Sequence, residues 1–156
     1  MLAAGKPEET LLRSQPLVTI CLTGVAISLL LVGVVSGTFI RHLVQILPVV
    51  IALMMVLQRP SWGSYAAIAV FLFWFVIMSI IWLSLLHIAK IISGHFSPTE
   101  VVLTVLIGCF SLLGLIGSAG QGATTRLIER IAAFLLFAGL QYGAMVLSFQ
   151  RLFADR

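Results

Sequence analysis

Two histidines, His42 and His87, are the side chains of this chain best suited to holding a metal-bound cofactor. Each lies near one end of a long apolar run, and imidazole is the commonest nitrogen ligand. Arg41 precedes the first and Lys90 follows one helical turn after the second, so both could meet the propionates of a haem b or another anion. His87 shares a helix face with Lys90, and His42 shares one with Gln45. For the histidines to meet, their two runs must form an antiparallel hairpin through the segment around Arg59. That topology also gathers Arg41, Lys90, His95 and Glu100 at one membrane face. The depths are the weak point, because His87 lies farther from Arg59 by an offset on the order of 10 Å along a helix axis. Tilt or a kink would have to absorb it. Interfacial histidines beside a lysine that snorkels to the headgroups explain the same residues without a ligand.

Other chemistry finds little support. Proton coupling usually leaves an acid well inside a span, yet Glu8, Glu9, Glu100, Glu129 and Asp155 all fall in tails or between apolar runs. A stand-alone proton-driven pump is therefore disfavoured, and a small transporter component is a third choice. The chain shows no Ser/His/Asp arrangement, HExxH pair, phosphate-cradling glycine loop or paired carboxylate, so a non-enzymatic protein is expected. Cys21 and Cys109 sit inside apolar runs and read as small buried hydrophobes, with neither a disulfide framework nor a CxxC signature. Thr124, Thr125 and Arg126 could take an anion but read as solvated loop. Phe71, Trp74, Met78 and Trp82 line one helix face; they suit core packing or lipid contact, with quinone stacking as the alternative.

The elements that must position these residues are membrane helices. With 61% hydrophobic and 9% charged residues among 156, and a mean hydropathy of +1.19, the chain is far more apolar than a soluble domain. The central run, residues 65–92, has no charge before Lys90 and as a helix reaches about 40 Å, enough for a bilayer core of about 30 Å. Around it stand apolar runs at 17–38, 43–57, 101–119 and 131–149. Residues 1–15 read as an exposed lead with an interfacial turn between Glu8 and Arg13, Pro16 suits a first helical turn, and 151–156 form a short tail. Pro48 should kink the short second run, on the face shared by His42 and Gln45. Trp62 and Tyr65 place the Arg59 loop at a water interface. Gly94 suits a helix C-cap, and Ser97-Pro98-Thr99-Glu100 has the pattern of a capping box. Small-residue seams occur in span one (Gly24, Ser28, Gly33, Gly37), span four (Gly108, Gly114, Ser118) and span five (Gly139, Gly143). Such seams allow close helix approach, within the chain or in a homo-oligomer.

The expected fold is an all-α integral membrane protein, a bundle of five transmembrane helices in one domain spanning 16–150, with four spans plus one re-entrant helix as the rival. Formal charge is +4, without the clustered basic face that nucleic acid requires. Five basic residues (Lys6, Arg13, Arg59, Arg126, Arg130) fall on the N-terminal side and four (Arg41, Lys90, Arg151, Arg156) on the other. By one charge, the positive-inside rule puts the N-terminus in the cytoplasm, and the expected membrane is a bacterial inner membrane or its equivalent. The first functional expectation is a small subunit or interaction partner in a membrane complex, or a lipid-binding protein, with membrane lipid and other membrane subunits as partners. The second is a haem, metal or quinone-linked redox module built on His42, His87, Lys90 and Arg41.

Overall fold

The computed structural model describes residues 7–58, 60–88, 96–119 and 126–150, without the side chains of 7–14, 60 and 61. Its elements are α1 (Pro7–Val35), α2 (Phe39–Gln58), α3 (Pro60–Leu85), α4 (Pro98–Ala119) and α5 (Leu127–Ser148). All five contain a stretch long and apolar enough to cross a membrane, and among the described residues there is no strand. The second run is longer than its apolar stretch suggested: α2 takes in Arg41 and His42 and reaches 20 residues, about the length a bilayer requires.

Helices α1 to α4 form an up-and-down ring in which each contacts its sequence neighbour and α1 also packs on α4. Helix α5 then lies in the groove between α2 and α3. The central post is α3, the element that touches all four others among the described residues. Its Ala66, Ala67, Val70, Phe71, Trp74 and Met78 are buried, so the aromatic stripe read from the sequence faces the core. Outward faces carry exposed leucine, isoleucine and valine, such as Ile20 and Val34 on α1 and Leu135 on α5, the surface lipid would cover. Since lipid is as apolar as these side chains, burial between the helices supplies no hydrophobic drive; close packing and interhelical hydrogen bonds hold them.

The close packing has identifiable sockets. A Cβ on Gly63 would lie 2.4 Å from the Val56 Cα, so α2 and α3 touch backbone to backbone there. Gly108 receives the ring of Trp82, Gly114 that of Phe71, and Gly24 that of Phe110. The seam expected in span five behaves otherwise: Gly139 and Gly143 meet nothing within 4 Å. In span one, Gly33 lies under His42 and Phe39, while Gly37 takes φ +68°, so both serve the corner between α1 and α2.

Helix ends depart from the sequence reading in three places. The chain is helical from Pro7, with Pro16 inside α1 where a first-turn position was expected; the ring there removes one backbone donor, which a long helix tolerates. Residues 60–64, read as loop, form the first turns of α3, and Arg59 lies outside the described residues. At the other end α3 stops at Leu85 rather than near Gly94, which also lies outside them. His87 takes φ +59°, and the bonds Ile88 N–H to Leu83 O (3.0 Å) and His87 N–H to Ser84 O (3.1 Å) close the last turn. This is a Schellman cap with histidine at the left-handed position. The α1 end repeats it, with Thr38 N–H on Gly33 O at 2.9 Å and Gly37 N–H on Val34 O at 3.3 Å.

Candidate functional site

At the end of the bundle where α1 turns into α2, the ring encloses a partly open cavity of about 630 Å³. Its mouth is built from local signals. The Gly37 cap reverses the chain, and α2 then begins by presenting Arg41, His42 and Gln45 to the cavity. On the opposite side α4 starts with the capping box anticipated in the sequence. The Glu100 Oε2 accepts from the Ser97 N–H (2.7 Å) and Oγ–H (2.8 Å), while the Glu100 N–H donates to the Ser97 Oγ (3.3 Å). Phe149, just past α5, closes the third side. Deeper in, Leu29, Val32, Ile77, Met78, Ile81 and Ile107 make an apolar wall with Trp74.

The His42 Nδ1 lies 3.1 Å from the Thr38 carbonyl oxygen and 3.1 Å from the Thr38 Oγ1. The carbonyl can only accept, so Nδ1 is assigned the proton and Nε2 keeps its lone pair in the neutral ring. Thr38 in turn shares a 2.6 Å hydrogen bond with Ser36. Beside His42, the Arg41 guanidinium carbon lies 3.6 Å from the centroid of the Phe149 ring, a cation–π contact. Arg41 has no carboxylate partner among the described residues, and its Nε is buried without a hydrogen bond. Among the described residues, the mouth thus pairs a cation that no acid neutralises with an acid whose carboxylate is already held by Ser97.

A turn below, Gln45 is buried and its amide donates to the Ser148 Oγ at 2.8 Å and contacts the Met145 Sδ at 3.2 Å. Gln141, fully buried, donates to the Gln45 carbonyl at 3.2 Å, within the turn that Pro48 disturbs. These bonds fasten α5 to α2, and Arg130 over the Tyr65 ring at 5.7 Å fastens its other end to α3. His42, Gln45 and Pro48 all turn inward, as their shared face implied.

The structure brings Arg41 and His42 together with Gln45 from the same helix face and with Glu100, which topology placed at the same membrane face, and adds Trp74. It leaves His87 apart: that side chain is exposed at the α3 cap, its Nδ1 is 3.0 Å from the Leu85 carbonyl, and it is not among the cavity residues. Tilt and kink do not absorb the offset, because α3 ends before His87 can point into the bundle. His42 and His87 are therefore not brought together as a pair of ligands, and among the described residues no three His, Cys, Asp or Glu could share a metal. Lys90, His95, Thr124 and Thr125 lie outside the described residues. Sequence reasoning missed Met145, Ser148 and Phe149, which repeat the helical spacing of Gln141 and so carried a signal as one stripe. Comparison with protein-family models, with curated proteins and with solved structures finds no match at any of the three.

Proposed function

We propose that this protein is a non-enzymatic membrane protein that holds an amphiphilic, lipid-like molecule in the cavity at the α1–α2 end. The observation that carries this reading is the cavity's gradient: polar side chains at the mouth, apolar walls beneath, in a bundle whose outer surface suits lipid. At about 630 Å³ it falls within the roughly 300–1,000 Å³ of sites that bury a drug-sized molecule. With the N-terminus on the cytoplasmic side, the mouth faces the opposite leaflet. Native mass spectrometry of the protein released gently from membranes tests the reading. A retained amphiphile is expected on the wild type and not on a folded Ile77→Trp variant, whose new ring fills the cavity. Equal retention by both refutes it.

A second reading, a subunit of a membrane complex, is favoured by the face between α2 and α5. There a groove of about 580 Å³ is lined by Pro48, Gly139, Gly143 and leucines, and α5 is the least covered span, at 22% against 33–44% for the others. Gly139→Leu would block a partner helix at that face, so loss of a co-purifying subunit is the expected result in that case.

A further inference from the structure

We propose that Arg41 is the head-group receptor of this cavity, and that the molecule it selects is a single-chain amphiphile with an anionic head, a carboxylate or a phosphate. The inference rests on the amphiphile reading and names its ligand class. Arg41 is half-buried, and the part of a guanidinium that is withdrawn from water is costly unless an anion or a set of hydrogen bonds compensates it. Arg41 has neither: no acid pairs with it among the described residues, and its Nε is buried without an acceptor. Phe149 holds it in place at 3.6 Å while supplying no negative charge. The fork of N–H donors on a guanidinium matches the two oxygens of a carboxylate or phosphate.

The surroundings favour the same sign. Among the described residues Glu100 is the one acid lining the cavity, and its Oε2 is occupied by the Ser97 N–H and hydroxyl. The first turn of α2, which carries Arg41, adds the positive end of a helix. His42 directs Nδ1 to Thr38 and keeps Nε2 for a ligand proton or water. Beneath the head, Leu29, Val32, Ile77, Met78, Ile81 and Ile107 offer an apolar sleeve. Its volume suits one chain rather than the two of a membrane phospholipid.

The test uses the full chain in phosphatidylcholine nanodiscs, with Trp62 and Trp82 replaced by phenylalanine so that Trp74 in the cavity wall reports. Three probes carry the same brominated sixteen-carbon chain: a fatty acid, a lysophosphatidic acid and a neutral monoacylglycerol. Quenching of Trp74 by either anionic probe at a concentration about tenfold lower than the neutral one is expected. Preference between the two anionic probes tells carboxylate from phosphate. Arg41→Gln should bring the anionic probes to the level of the neutral one, with an unchanged far-UV circular dichroism spectrum showing that the variant is folded; Arg41→Lys should fall between. Equal quenching by all three probes with no effect of Arg41→Gln overturns the head-group proposal alone, and would leave Arg41 an ordinary interfacial cation. Displacement of the lysophosphatidic acid by inorganic phosphate overturns the single-chain class. Quenching by none of the probes overturns the amphiphile reading itself.

Discussion

Replacing Gly63 by alanine should destabilise the bundle, whereas the same change at Gly139 should stabilise it. Alanine in a helix gains about 1 kcal/mol over glycine from backbone entropy at either site. What differs is the space. At Gly63 the new methyl would lie 2.4 Å from the Val56 Cα, 2.5 Å from the Val56 N and 2.7 Å from the Met55 carbonyl carbon. All three are backbone atoms, so no rotamer change relieves them. To reach ordinary contact near 3.5 Å, α2 and α3 must move apart locally by about 1 Å. Overpacking of this kind costs about 1–3 kcal/mol, and α3 carries contacts to every other helix, so the upper part of that range applies. The net expectation is a loss of about 1–2 kcal/mol for Gly63→Ala and a gain of up to about 1 kcal/mol for Gly139→Ala, where nothing lies within 4 Å. Gly108→Ala should fall between them, because its Cβ meets the end of the Trp82 ring at 2.1 Å, a side chain that can swing. Equilibrium unfolding in mixed micelles, read by far-UV circular dichroism, ranks the three. A Gly63→Ala variant as stable as the wild type would refute the backbone contact between α2 and α3.

Three further outcomes check other parts of the bundle. A double-mutant cycle of Gln45→Leu and Ser148→Ala should give a coupling of about 0.6 kcal/mol, and at most about 1.7, the range for hydrogen bonds between membrane helices; zero coupling would mean that the 2.8 Å bond between them is not made. His87→Gly should keep or raise stability by up to about 1 kcal/mol, since glycine removes the left-handed strain at φ +59°, and should leave amphiphile binding unchanged; loss of binding would return His87 to the site. A small neutral maleimide in micelles should label Cys109, which is exposed, and spare Cys21, which is buried, until the protein is unfolded; labelling of Cys21 at an equal rate would contradict the α1 packing face.

Much of the fold was legible because its causes are local. Five long apolar runs must each become a helix, since a bilayer leaves a crossing backbone no water to bond with. The capping box at Ser97 and Glu100 needs only a three-residue spacing, and the inward stripe of His42, Gln45 and Pro48 needs only the helical period. The site was half legible for the same reason. Arg41 and His42 could be picked out as polar residues at a span end, and Glu100 could be assigned to their membrane face from topology.

Contacts between distant segments were not legible. A glycine in an apolar run permits close approach but does not say what approaches, so Gly63, read as loop, meets a backbone while Gly139 and Gly143, read as a seam, face open space. His87 looked like a ligand because hydropathy carries a helix on to residue 92; the cap that ends α3 at Leu85 costs left-handed strain that no composition reveals. By itself the sequence determined that this chain is an all-helical membrane protein and where its polar residues enter the spans. Tertiary structure alone decided that α5 returns to α2, bringing Phe149 over Arg41 and Ser148 to Gln45 across about a hundred residues. The physical reason is that in lipid the hydrophobic effect drives insertion without choosing partners, and the choice falls to packing and hydrogen bonds that exist only once the helices have met.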